Sequence, residues 1–178
     1  GDLGYMDKDG FLYVLGRFKS LLIADDGEKY SPESIEEALV QHSKFIEQCM
    51  LYNNQNAYTT ALVYPNIAAV KSWLTGKGMK IDDENASHEV VQLIESQIDQ
   101  FLAGGKFEDL FPHRWVPATF AVIEEGFTEE NHLMNSTMKM VRGKITERFG
   151  DRIKHMYVPQ GKPIMNEMNI NVLKSILN

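Results

Sequence analysis

Two runs rich in β-branched, aromatic and aliphatic residues, 45–52 and 58–64, lie on either side of the polar stretch Asn53-Asn54-Gln55-Asn56. Strands joined by so short a connection pair antiparallel, because parallel neighbours need a crossover of a dozen or more residues. The polar stretch reads as the turn between them. Any fold for this chain must be built around that pair.

The segments on either side supply the partners. Near the start, Asp7-Lys8-Asp9-Gly10 separates two strand-like pieces and carries the Asp-Gly signal of a hairpin, and Gly16-Arg17 divides the second piece from the apolar Leu21-Leu22-Ile23. After the turn Asp25-Asp26-Gly27-Glu28, Ser31 reads as a helix N-cap and Pro32 as the first helical residue, with Ile35, Ala38 and Leu39 as the apolar stripe. Helices are also expected over 66–74, over 87–103 with Val90, Val91, Ile94 and Ile98 on one face, and over 170–177. A third strand is expected over 117–123. Val141, Ile145 and Phe149 recur every fourth residue and predict one more helix. Strands and helices interspersed around an antiparallel pair indicate an α+β fold, with an N-terminal β-hairpin and a central sheet of about three strands flanked by helices.

Of the 178 residues 43% are hydrophobic and 24% charged, enough to build a core and too many apolar groups for a disordered or collagen-like chain. The one cysteine, Cys49, can form neither an internal disulfide nor a cysteine metal cluster, and it sits in an apolar run that reads as core. A reducing, cytoplasmic setting fits this usage, and peripheral membrane association is compatible with it. No segment has the length and hydropathy of a membrane span. The five histidines lack metal-ligand spacing.

A net charge of −7 argues against a general nucleic-acid-binding surface. One segment opposes that total: residues 139–154 hold Lys139, Arg142, Lys144, Arg148, Arg152 and Lys154 against only Glu147 and Asp151. Composition alone favours a solvated helix face with Lys144/Glu147 and Arg148/Asp151 as neighbours. The sharper reading is contact with an anionic ligand. Lys139, which follows the polar Asn135-Ser136-Thr137 and precedes the periodic helix, is then the cation best placed to project into a cleft.

Four motifs in order carry a family resemblance: Gly1-Asp2-Leu3-Gly4-Tyr5, Gly10-Phe11-Leu12-Tyr13, Gly16-Arg17-Phe18-Lys19, and the stretch from Gly27-Glu28-Lys29-Tyr30 to Glu36. Together with 130–139, which is similar to the C-terminal lysine motif of long-chain fatty-acyl-CoA synthetases, they resemble the adenylate-forming enzymes. Four ordered motifs are far more specific than a single glycine pattern. The resemblance implies a small mobile C-terminal domain over 19–178, with 1–18 as the end of a large preceding domain and its linker. The absence of an initiator methionine fits an excised piece. ATP and CoA are then substrates, with Mg²⁺ held mainly by the large domain, and the partners are that domain and a carboxylic acid.

The same resemblance assigns roles residue by residue. Asp2 matches the aspartate that accepts hydrogen bonds from the AMP ribose, and Arg17 the arginine that contacts the same ribose. Lys19 matches the hinge about which the small domain turns. Gly27, Glu28, Lys29 and Tyr30 belong to the loop that lines the CoA tunnel, although Asp25-Asp26 replaces the commoner small residues there. Lys139 matches the catalytic lysine, whose ammonium bridges the carboxylate and the α-phosphate as acyl-AMP forms. Gly143-Lys144 imitates the glycine-lysine of many relatives but is out of register, and Ser136 stands where the long-chain type has proline. His113-Arg114-Trp115 reads as a loop packed by its aromatic, with contact to CoA phosphates as the competing role. The implied reaction is activation of a carboxylate, most like a long-chain fatty acid, to acyl-AMP and transfer to CoA. The alternatives are loading of an acyl carrier protein, or a non-catalytic interaction module that keeps the fold.

Overall fold

The structure, a computed structural model, describes residues 2–17 and 20–178, with backbone only at Asp2, Leu3 and 15–17. Its centre is the sheet β5 (Ile46–Tyr52), β7 (Thr60–Pro65) and β8 (Thr119–Val122), in the order β5-β7-β8. β5 and β7 run antiparallel, with Cys49 opposite Val63 and Leu51 opposite Ala61, while β8 lies parallel to β7. The α+β class and the three-stranded central sheet match the sequence reading.

Side chains alternate across this sheet because successive Cβ atoms point to opposite faces. Cys49, Leu51, Ala61, Val63, Phe120 and Val122 enter one cluster, together with the helices α1 (Glu33–Gln41), α2 (Ile67–Gly76), α3 (Ala86–Asp99) and α6 (Glu167–Leu177). Met50, Leu62, Ala121 and Ile123 enter the other, against Ile145, Phe149, Ile153 and Met156 of the segment holding α4 (Arg142–Arg148) and α5 (Gly150–Met156). A sheet covered on both faces has no solvent side, which is why its strands read as apolar runs without polar alternation.

Two smaller sheets precede the centre. β1 (Asp2–Met6) and β2 (Leu12–Arg17) form the expected hairpin, whose turn is fixed by Asp7 Oδ1 accepting the amides of Asp9 (2.9 Å) and Phe11 (3.0 Å). A Cβ on Gly4 would lie 2.7 Å from the Tyr13 carbonyl oxygen, so this strand position admits only glycine. β3 (Leu22–Ala24) pairs antiparallel with β4 (Lys29–Tyr30) and parallel with β6 (Asn54–Asn56).

That last pairing corrects one expectation. Asn53-Asn54-Gln55-Asn56 does more than turn the chain: it contributes a strand that ties the N-terminal ribbon to the centre. Asn53 is buried, with Oδ1 accepting the Asn56 amide (2.9 Å) and Nδ2 donating to the Tyr30 hydroxyl (3.2 Å). Ser31 is not the N-cap of α1; Pro32 holds that position without a side-chain cap, and the Ser31 hydroxyl donates to Glu33 instead. The true side-chain caps are Asn66 on α2 and Asn166 on α6. The helix expected through Val141, Ile145 and Phe149 is two helices, because the chain breaks at Phe149 (φ −105°, ψ 22°). Phe149 nonetheless stays buried, so the spacing of buried residues runs on through the break.

Polar closure along β8 depends on buried Asn169 of α6 and Arg152 of α5. Asn169 Oδ1 accepts the Val122 amide and Arg152 Nη2, both at 2.9 Å, while its Nδ2 donates to the carbonyls of Phe120 (3.2 Å) and Ile164 (2.9 Å). Burial pushes the Arg152 guanidinium below its ordinary value, against the pull of Glu124. Asn169→Ala leaves the Val122 amide unpaired in the interior and takes one of two acceptors from the Arg152 guanidinium; it is expected to cost about 3 kcal/mol, read as a lower urea midpoint, and an unchanged midpoint contradicts it.

Candidate active site

Lys139 stands at the end of a tight hairpin between Leu133 and Val141. Met134 and Met140 pair as an antiparallel bridge at its base, and the Val141 amide donates to the Leu133 carbonyl at 2.8 Å. Within the turn a single atom, Asn135 Oδ1, accepts the Thr137 amide (3.0 Å), the Thr137 hydroxyl (2.8 Å) and the Lys139 amide (2.9 Å). Asn135 is a good turn residue because its short amide can mimic a backbone acceptor. This overdetermined turn holds Met138 in the left-handed region (φ 58°), a conformation that costs a non-glycine residue roughly 1 kcal/mol or more.

The result is an exposed lysine on a rigid backbone. Leu133 is buried in the second cluster, with Met134 and Met140 packed against it, so the hairpin has a fixed base and a solvent-facing tip. Among the described residues the Lys139 ammonium makes no hydrogen bond or ion pair. Lys144 lies within α4, past the hairpin and away from its tip.

The three arginines of 139–154 each have a partner within the protein. Arg142 pairs with Glu36 and donates through Nη1 to the Leu51 carbonyl at 3.2 Å. Arg148 pairs with Glu125, its Nη2 2.6 Å from Oε1, and not with Asp151 as helical spacing had implied. Arg152 is buried against Val122 and Asn169. The solvated-face reading therefore fails for Arg142 and Arg152, while Arg148 stays on the exposed face with Glu125 as its partner.

Glu36 is the functional-site residue that sequence reasoning missed. It is 3% exposed, and besides Arg142 it takes the Leu51 amide on Oε1 at 2.6 Å. One carboxylate thus joins α1, the edge strand β5 and the first residue of α4, three positions after Lys139. The only sequence signal was a glutamate next to the apolar stripe of Ile35, Ala38 and Leu39; its partner lies 106 residues away. A groove of about 1110 Å³ lies at this junction, and its lining includes Lys139 and Arg142 together with Glu33, Glu37 and Glu47.

The remaining candidates separate in space. Asp2 and Arg17, fifteen positions apart in sequence, are direct register partners across the β1–β2 hairpin. Lys19 lies outside the described residues. Gly27 adopts φ 85° in the turn between β3 and β4, where its amide donates to the Ala24 carbonyl at 3.0 Å. Glu28 and Lys29 follow on that turn, and Tyr30 is buried, its hydroxyl 2.5 Å from Thr59 Oγ1 and its ring stacked on Trp115. Trp115 is therefore the packing aromatic of its loop, as read. Cys49 is buried, and burial pushes its thiol well above the ordinary range. Among the described residues, no group of three or more His, Cys, Asp or Glu side chains is placed to hold a metal ion, and no helix is long and apolar enough to cross a membrane.

Residues 19–102 match the family model of the AMP-binding enzyme C-terminal domain. The chain is 26% identical over 158 residues to fatty acyl-CoA synthetase B of Dictyostelium discoideum, covering 88% of this chain and 23% of that protein. It is 27% identical to long chain acyl-CoA synthetase 8 of Arabidopsis thaliana, covering 88% and 22%. Among solved structures, the adenylation domain of a carboxylate reductase from Mycobacterium chelonae superposes with a TM-score of 0.70 at 25% identity, covering 88% of this chain and 22% of that one. The chain thus spans less than a quarter of the length of these relatives, and its fold is that of the adenylate-forming C-terminal domain.

Glu36 is the group whose removal reports on the junction of α1, β5 and α4. Burial raises its carboxyl above the ordinary 4.5, with Arg142 opposing the rise. A raised carboxyl contributes stability that is fullest below 4.5 and is lost as pH rises through the folded value. Glu36→Gln, which keeps an acceptor for Leu51, is expected to flatten that decline, seen in urea midpoints measured across acidic to neutral pH. Glu36→Ala leaves Arg142 and the Leu51 amide unpaired and is expected to cost about 3–5 kcal/mol.

Proposed function

We propose that this chain is the C-terminal portion of an acyl-CoA synthetase that activates a carboxylic acid, of the long-chain fatty class, with ATP and transfers the acyl group to CoA. The observation that carries the reading is the exposed, unpaired Lys139 on a turn braced by Asn135 and rooted in a buried base. Attack of a carboxylate on the α-phosphate brings two anions together. A compact ammonium with three donors, held by a turn that does not have to reorganise, stabilises the charge that develops between them. The long-chain acyl-CoA synthetases among the sequence relatives support the substrate class.

The acyl pocket, the Mg²⁺ site and most adenine contacts belong on this reading to a large domain preceding residue 19. Asp2 and Arg17 fit one ribose from adjacent register positions: an ionised carboxylate accepts from two neighbouring hydroxyls, and a guanidinium donates to ribose oxygens. Rotation about Lys19 then exchanges Lys139 for the Gly27–Tyr30 segment, where a residue without a side chain lets backbone approach the thiol acceptor. The two segments root in clusters on opposite faces of the central sheet, which suits their use in alternate half-reactions.

A second reading, transfer to the phosphopantetheine of a carrier protein, is favoured by the structural likeness to a carboxylate reductase adenylation domain. Incubating wild-type full-length enzyme with ATP, a panel of carboxylates and either CoA or a carrier protein separates the two by the thioester formed.

Lys139→Ala in the full-length enzyme is expected to slow acyl-AMP formation by about 10²–10³-fold while sparing thioester formation from supplied acyl-AMP. Equal loss of both steps would sink the assignment.

A further inference from the structure

The turn that follows β3 is gripped from outside its own sheet. Its backbone closes by the Ala24 amide donating to the Glu28 carbonyl (2.9 Å) and the Gly27 amide donating to Ala24 (3.0 Å), while Asp26 Oδ1 accepts the Glu28 amide (3.0 Å). This places Asp25, Asp26 and Glu28 in a cluster of three carboxylates, which repel one another. Arg114, from the 3₁₀ turn His113–Trp115, meets all three: Nη1 lies 2.8 Å from Asp26 Oδ2 and 3.2 Å from Glu28 Oε2, and Nη2 lies 3.9 Å from Asp25 Oδ1. The contact holds Asp26 below the ordinary carboxylate range and raises Arg114.

The next residue grips the other end of the same segment. Trp115 stacks on Tyr30 with centroids 5.2 Å apart and planes 6° from parallel. Thr59, whose hydroxyl meets Tyr30, also donates to the Arg114 carbonyl at 3.3 Å. Two consecutive residues therefore brace both ends of 25–30. An isolated surface ion pair contributes little, but a single planar fork shared by three carboxylates of one turn fixes a shape that none of the pairs fixes alone.

We propose that Arg114 is a positioning residue for the thiol-transfer step, holding the Asp25–Glu28 turn in the form that admits the acceptor. This rests on the assignment of Gly27–Tyr30 to the acceptor side. In this role Arg114 acts through Asp26, 2.8 Å from its Nη1, and not as a ligand for cofactor phosphate.

The test uses the full-length enzyme and compares the acceptor it naturally uses, CoA or a phosphopantetheinyl carrier, with pantetheine, a neutral thiol without phosphate. Arg114→Ala is expected to lower kcat/KM for thioester formation from supplied acyl-AMP by about tenfold with both acceptors, less than the ~10²-fold a 1 Å displacement at reacting atoms costs. Acyl-AMP formation, read by ATP–pyrophosphate exchange, should stay within about twofold. Asp26→Asn alone should reproduce part of the loss, and adding it to Arg114→Ala should change little further, because the two share one interaction. Arg114→Lys should recover only part of the rate. A loss confined to the phosphate-bearing acceptor, additive effects of the two substitutions, or equal loss in both half-reactions would overturn the proposal. If Arg114→Ala does not fold, Asp26→Asn alone decides by the same comparison of acceptors. A wild-type enzyme that makes no acyl-AMP from any carboxylate refutes the functional reading itself, and that result is seen before any variant is compared.

Discussion

The buried carboxylate of Glu36 is the constraint on which the candidate site depends. Removing an ionisable group from water is costly, and the cost is offset only where charge and hydrogen bonds are both supplied. Here Arg142 supplies the charge and the Leu51 amide the hydrogen bond. Because those partners come from α4 and β5, satisfying Glu36 fixes where α4 begins relative to α1 and the edge of the sheet. The Lys139 hairpin leads directly into α4, so its base inherits that position. Asn135 then sets the local shape of the turn, and the two levels of constraint leave an exposed ammonium with little backbone freedom.

The two-faced central sheet gives this small domain its second structural property. Alternate residues of β5, β7 and β8 serve separate clusters, one holding α1, α2, α3 and α6 and the other α4 and α5. The hairpin of Lys139 is built on the second cluster, whereas Tyr30 and the turn of Gly27 are built on the first. A basic tip on one layer and a glycine turn on the other are thus held by one packed core.

Charge follows the same division. Of the basic residues in 139–154, Arg142 and Arg152 are drawn into buried or half-buried contacts, Arg148 and Lys154 pair at the surface with Glu125 and Asp151, and Lys139 keeps an exposed, unpaired ammonium. At the other site the excess is negative, and Arg114 is recruited from a distant loop to brace it. In both places arginine does the structural work, as its fixed fork of donors favours, and lysine is left as the mobile point charge.

Residue patterning alone determined the class of this fold: the antiparallel pair, the N-terminal hairpin, most of the helices and the prominence of Lys139 before α4 follow from local periodicity and turn chemistry, which act over a few residues. The ordered motifs carried the resemblance to adenylate-forming proteins for the same reason, since each motif is contiguous. The tertiary structure decided the rest. That Asn54–Asn56 forms a strand, that Arg148 turns to Glu125, that Glu36 meets Arg142 and that Arg114 meets Asp26 all depend on partners 23 to 106 residues away. Periodicity records which face of an element is apolar; only the packed chain determines which buried or clustered charge finds its counterpart, because that choice is made by the cost of leaving any one of them unpaired.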